Sequence, residues 1–598
     1  MKHFLKKRRF TRVAALIMTV LLSVSLFAGV QAYRFHSFTD ALFCQELEND
    51  TLSMHYILAW PENYGIPGDT AHLSAYDKET QKQAYLQLSR YRDTMAGIQP
   101  LFFGKESKLL YRLLTWHLEN RMKEEMWAYY SEPLSPASGI QSSLPILLAE
   151  YTFRTRQDVD NYLSLLAQIP AYLDGIAAYE KEKAAAGLFM SDTAADKIIE
   201  QCYQIMDAGQ IMDGTHFLYT TFAERLQGLI DKQLIAPDEK ETYLRRNQTL
   251  LLQSVMPAYE ALGDAILLLK GSGTCNGGLA GLPGGKEYYA FLFEQTTGCS
   301  RSLDEVERLL AAQLQNNTHD LAEILKQSPT LLAVSPEDEF PQASAADYLR
   351  DLQHRMQPAF PAIPEGTSLS CSIKPVSPSL EDYCSPAFYL TPPIDDISEN
   401  SIYINHKDNP AGLELYTTLA HEGYPGHLYQ TVYHHLHQQD ARINPARNLL
   451  NYGGYTEGWA LYVEMLSYEY GKEYMQQQGC SQDAILLADA MRINRSIQLC
   501  LYSLLDLEIH YHGADYEKVH TLLSKFGITR PDVTRNIYEY IVEEPANYPK
   551  YYVGYLEFGL LKDAARDAWG DDYSDIRFHR MILETGPCPF SILWEQLD

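Results

Sequence analysis

Apolar residues recur at three- and four-residue spacing through most of Ser37 to Leu262, broken by short polar turns. That spacing follows the helical period and predicts a succession of amphipathic helices, clearest over Asp158–Tyr179 and Thr242–Leu269. Ser302–Lys326 continues the pattern, with Ser302 as an N-cap and Asp304 and Glu305 in the first turn. Two stretches interrupt it: Gly271–Gly285 is a Gly-rich loop, and Gln357–Pro393, rich in Pro and Ser, is expected to cross the surface. Ser401–Asn405 then alternates like a short strand. Beyond it, Gly412–Glu422 sets Leu413, Leu415, Tyr416 and Leu419 at helical spacing. Leu428–Gln439 continues as an amphipathic helix whose His434, His435 and His437 read as a solvated polar face. The chain is therefore expected to be mainly α, with a short β-strand segment before the Gly412 helix.

The N-terminus is patterned differently. Lys2, Lys6, Lys7, Arg8, Arg9 and Arg12 precede an uncharged apolar run from Val13 to about Ala32. Residues 1–32 read as a signal peptide or, because the run approaches the length of a membrane span, as an uncleaved N-terminal anchor. The basic flank places the remainder outside the cytoplasm. Residues 33–598 suffice for a large core, in one helical domain or in two lobes, 33–285 and 286–598.

Charge and cysteine content narrow the function classes. The formal charge of −28 argues against nucleic acid or an anionic membrane surface as the main partner. Nine cysteines are few for 598 residues, and none form a C-x-x-C pair. In an exported chain Cys275/Cys299 and Cys371/Cys384 could pair, or all nine could be buried thiols. The Gly-rich run ends in Gly285-Lys286 but is not a phosphate loop: Ala280 stands where the first Gly belongs, and Glu287 where Ser or Thr does.

Candidate chemistry concentrates in His421-Glu422-Gly423-Tyr424-Pro425-Gly426-His427. A His-Glu pair leaving an apolar helix, with another His close behind, is a way to present zinc. Neutral imidazoles bind the ion, and the carboxylate can take a proton from the water it activates. The usual H-E-x-x-H spacing puts both imidazoles on one helical face. Here Pro425 occupies the second His position, and His427 comes later. At about 100° per residue, His421 and His427 would point from widely divergent faces of a regular helix, and Pro425 cannot continue that helix. A local bulge could swing His427 back, or a helix end could leave the two apart; spacing does not decide.

HEGYPGH resembles the H-E-x-x-P-G-H signature of the DUF885 family, bacterial proteins similar to zinc metallopeptidases of the gluzincin type. Tyr455 to Tyr462, YTEGWALY, is similar to that family's E-G-W-A segment. The resemblance implies a helical zincin-like fold with a deep cleft. It also implies zinc held by His421, His427 and Glu457, and Glu422 as general base. It departs at Leu428, where many members carry a second His directly after the signature. Weaker similarities run through the Gly-rich segment with Tyr288, through Asp506–His510 (Glu508 replacing a Gly), through Glu544 to Gly554, and at Phe578-His579. They imply Tyr551 as an oxyanion donor, with Tyr552, His510, His579 and Tyr288 as substrate contacts or packed side chains. The gluzincin likeness implies Ser401–Asn405 as an edge strand pairing with the substrate backbone, with a structural hairpin as the equal alternative. Glu464 falls on the Glu457 face of its helix, as a hydrogen-bond partner for a ligand imidazole or as a surface carboxylate.

The function these residues imply is an exported zinc metallopeptidase hydrolysing short peptides. The same ligands would serve an amidase or esterase on a non-peptide substrate. An inactive, anchored binding protein would keep the cleft alone, and the intact Glu422 argues against it. No G-x-S-x-G elbow offers a serine nucleophile instead.

Overall fold

Amphipathic spacing becomes helix along most of the chain. The structure, a computed structural model, describes residues 2–597 apart from 69–70, 274–276, 334–338, 365, 377–380, 382–384, 406 and 408–409. It is mainly α, 73% helical, with a small three-stranded mixed sheet. The pairings Cys275/Cys299 and Cys371/Cys384 fall outside the described residues, at Cys275 and Cys384.

Lys2–Glu48 (α1) is one continuous helix. Its N-terminal apolar stretch is long enough to cross a membrane and lies outside the core. From Gln31 onward the same helix docks: the Gln99 backbone N–H donates to Gln31 Oε1 at 2.9 Å, and Phe35 and Leu42 are buried. The helix expected over Asp158–Tyr179 runs Arg156–Ala185, opened by a Thr155/Asp158 capping box. The one expected over Thr242–Leu269 is divided. Lys240–Leu250 and Met256–Leu269 join through a π-turn at Leu251–Val255, beside Pro257, which has no N–H to continue the ladder.

Three strands, Ser370–Pro375 (β1), Ala387–Leu390 (β2) and Glu399–Ile404 (β3), form a sheet in the order β1-β3-β2. β3 is parallel to β1 and antiparallel to β2. This corrects the reading of Ser401–Asn405 as an edge strand: it belongs to the central strand, with both sides paired, and β1 and β2 form the edges. Both outer strands come from the Pro- and Ser-rich stretch read as a surface crossing. β1, with sequence SCSIKP, does alternate, with Cys371 and Ile373 half-buried between exposed Ser370, Ser372 and Lys374, but the period is short and set among prolines and serines.

Five C-terminal helices bear on the candidate site: Gly412–Glu422 (α2), His427–Ala441 (α3), Gly453–Gln477 (α4), Gln482–His510 (α5) and Asn547–Trp569 (α6). α2 buries Leu413, Tyr416 and Leu419 in a core that also holds Phe35, Trp459 and Phe558. A second core gathers Tyr162, Leu166, Phe222 and Tyr259. Of the polar face expected on α3, His434 and His435 are buried, because the helix packs on Asp575–Thr585, and His437 is half-buried. His434 Nδ1 meets the Leu583 carbonyl and its Nε2 meets the Gln438 amide, both at 2.9 Å.

α4 and α6 cross in backbone contact. A Cβ on Gly458 would stand 2.5 Å from the Gly554 carbonyl carbon, and one on Gly554 would overlap the Gly454 carbonyl oxygen. The crossing brings Tyr551 of α6 to the level of Glu457 on α4. Gly458→Ala should therefore cost about 1–3 kcal/mol through overpacking, read as a lower denaturation midpoint. An unchanged midpoint would show that the helices separate freely here.

Candidate metal centre

The chain reversal after Glu422 is neither a bulged helix nor a parting of the two imidazoles. α2 ends at Glu422, Gly423 to Gly426 form a tight connection, and α3 starts at His427. Gly426 lies so close to the end of α2 that a Cβ there would overlap the His421 carbonyl oxygen, so only glycine fits. Trp459 Nε1 donates to the Pro425 carbonyl at 3.0 Å, and the Tyr429 N–H to the Gly423 carbonyl at 3.2 Å. The restarted helix turns His427 back towards His421, with ring centroids 4.9 Å apart and planes at 81°.

α4 supplies the third donor. Tyr455 and Trp459 are fully buried, which turns Glu457 between them towards the imidazoles. One donor atom each from His421, His427 and Glu457 lies within 4.8 Å of the others. Glu457 Oε2 is 3.6 Å from His421 Nε2 and 3.4 Å from His427 Nε2. Two donors at tetrahedral zinc distances stand roughly 3.3–3.5 Å apart, so the group fits one small metal ion.

Glu464 fixes the orientation of His421. Its Oε2 lies 2.9 Å from His421 Nδ1, so the imidazole donates there and aims its Nε2 at the donor group. Arg495 Nε donates to Glu464 Oε1 at 3.0 Å. Burial opposes a charge on Glu464, yet Arg495 first and His421 after it hold the carboxyl down at about 2. Burial likewise opposes a charge on His421, but Glu457 and Glu464 raise it to about 10. A protonated His421 thus stands against Glu457, where a bound cation would take the place of its Nε2 proton.

Glu422 points to the same space. Its Oε2 accepts the Tyr389 N–H from β2 at 2.8 Å, and burial raises its carboxyl pKa against the pull of His421 and His427. The Tyr551 ring stacks beside His421 at 6.4 Å, with Glu457 close enough to act on its phenol. Burial, with Glu457 second, pushes that phenol well above its ordinary range. All of these residues line a cavity of about 750 Å³, together with β2, Thr417, Tyr540, Asn547 and the α5 residues Asn494, Arg495 and Gln498.

Four other sequence candidates lie elsewhere. Tyr552 is buried, its hydroxyl 2.7 Å from Ser496 Oγ. His510 accepts the Leu279 N–H on Nδ1 and meets the Ile541 carbonyl with Nε2, tying the Gly-rich loop to α5. His579 sits between Tyr462 and the Ala359 carbonyl and stacks on Phe360. Burial lowers both imidazoles to about 4. Tyr288 packs on Tyr130 and lines a separate cavity of about 230 Å³. Leu428, where a second His would stand, is buried in the core.

Two contributors went unread in the sequence. The Tyr389 donor is a backbone group and has no residue signature. Arg495 occupies an ordinary polar position of an amphipathic helix, and only its i−31 partner Glu464 reveals it. Replacing Glu464 with Ala should weaken metal binding about 10–100-fold, measured by competition with a chelator. Unchanged affinity would show that His421 needs no such partner.

The chain was compared with known proteins. The family model "Bacterial protein of unknown function (DUF885)" matches residues 60–597. No curated protein matches. Among solved structures, a "putative lipoprotein" from Colwellia psychrerythraea is 20% identical with a TM-score of 0.80, covering 95% of this chain and 98% of that one. A "putative lipoprotein of unknown function" from Shewanella oneidensis is 14% identical with a TM-score of 0.62, covering 94% and 99%. At these identities the likeness is one of fold. The family match spans most of the sequence, and the chain belongs to the DUF885 family.

Proposed function

We propose that this protein is an exported zinc-dependent metallopeptidase acting on short peptides. The observation that carries this reading is the convergence of His421, His427 and Glu457 with Glu422 and Tyr551 on one cavity. Two imidazoles and one carboxylate, with room beside them, are a donor set of catalytic zinc sites. When bound there, zinc acidifies a water and polarises a carbonyl.

The chain's own residues supply the rest. Glu422 has one oxygen held by the Tyr389 N–H, which leaves the other to accept a proton from the attacking water. Its raised pKa moves it towards neutrality, where a group can both take that proton and pass it to the leaving nitrogen. Tyr551 keeps its phenol proton, because burial and Glu457 both disfavour ionisation, and donates it as a hydrogen bond to the developing oxyanion. The free edge of β2 runs along the cavity and offers backbone groups to an extended peptide. The basic N-terminus and apolar α1 support export, and the lipoprotein descriptions of the two structural neighbours agree with it.

Glu422→Gln should abolish hydrolysis of a peptide library while metal content stays at the wild-type level. Retained turnover would remove Glu422 as the base. Tyr551→Phe should lower kcat by about 10²-fold with little change in KM, as loss of one oxyanion donor does. An unchanged kcat would return Tyr551 to packing.

A further inference from the structure

The cavity has an uneven distribution of charge. Glu414, Glu422, Glu457 and Glu464 line it, and Arg495 is the one Lys or Arg that does so among the described residues. Arg495 is more than a buried counter-ion. Its Nε is spent on Glu464, yet its side chain is 41% exposed, and Nε is its one hydrogen-bonded nitrogen among the described residues. The rest of the guanidinium fork is open to the cavity. Asn494 and Gln498, exposed on the same stretch of α5, flank it with side-chain amides.

We propose that this wall of α5 is a carboxylate seat, and that the protein takes its substrates by a free C-terminal carboxylate bound to Arg495 with Asn494 and Gln498. The inference rests on the peptidase reading for what happens next, but the seat itself is a binding site. A guanidinium presents parallel N–H groups that match a carboxylate. Away from the donor group, the cavity's own carboxylates repel an anion, which leaves Arg495 as the cationic seat on that wall.

Position then sets the cleavage mode. One carboxylate and one imidazole separate Arg495 from the donor group, through contacts of 3.0 and 2.9 Å. The guanidinium therefore stands on the order of 10 Å from the donors, and an extended residue spans about 3.3–3.6 Å. A peptide seated on Arg495 brings to the donors a carbonyl about one to three residues from its C-terminus. Such an enzyme trims short fragments from the C-terminal end.

The test uses the full chain carrying Glu422→Gln, loaded with zinc, so that binding is read without turnover. Titration calorimetry compares a peptide with a free C-terminal carboxylate, the same peptide as its amide, and an amide ending in Glu. The free acid should bind about 10–100-fold tighter than the plain amide, the margin expected for a charged hydrogen-bonded pair. The Glu-ended amide should bind as weakly as the plain amide; recovery of affinity would overturn the terminal assignment in favour of a side-chain carboxylate. With zinc held in excess, so that loss of Glu464's counter-ion does not empty the donor group, adding Arg495→Met should erase the acid–amide difference, and Arg495→Lys should keep part of it. Equal binding of acid and amide, or no binding of either, would overturn the seat whatever the Arg495 variants do. Wild-type hydrolysis separates the two ideas. Equal cleavage of acid and amide would overturn the seat and keep the peptidase. Arg495-dependent binding of an acid that is never cleaved would keep the seat and overturn the peptidase.

Discussion

The site depends on one close approach, that of Gly426 to the last carbonyls of α2. Because residue 426 has no side chain, the chain can reverse against His421 and restart as α3 with its first imidazole facing back. Without that reversal, His421 and Glu457 would lack a third donor, and Glu422 would stand beside an incomplete group. The reversal is in turn held by Trp459, whose indole N–H reaches the Pro425 carbonyl from α4, the helix that carries Glu457. Geometry of the connection and geometry of the third donor are therefore set by the same helix.

Outward from the donors, the charges form a line in which each group depends on the next. Glu457 faces both imidazoles, Glu464 orients one of them, and Arg495 makes a buried Glu464 tolerable as an anion. A buried carboxylate without such partners would protonate and lose its orienting role. On the opposite side, α6 lies against α4 at Gly458 and Gly554, which fixes Tyr551 near Glu457. The edge strand β2 closes the remaining side through its contact with Glu422.

Much of this was legible in the sequence, and the limits have physical causes. Helices were readable because apolar positions recur at their period, and the His-His-Glu group through the resemblance of HEGYPGH and YTEGWALY to the DUF885 signature, where spacing alone left it open. The return of His427 was not readable, since it depends on backbone angles at two glycines rather than on side-chain identity. Periodicity failed at the π-turn beside Pro257, where the hydrogen-bond ladder slips while the apolar spacing continues. The outer strands were missed as well, because β1 alternates only briefly among prolines and serines, and β2 is four apolar residues, too short to show a period. His434 and His435 looked solvated because polarity was read as exposure, whereas a backbone carbonyl and a glutamine satisfy His434 in the interior.

The central claim is that the reversal at Gly423 to Gly426 builds a metal site from His421, His427 and Glu457. Elemental analysis of the purified chain, beside His427→Ala prepared identically, tests it most directly. The account predicts about one zinc per wild-type chain and its loss in the variant, with both proteins folded. Zinc retained in the variant, or no metal in the wild-type protein, would contradict it.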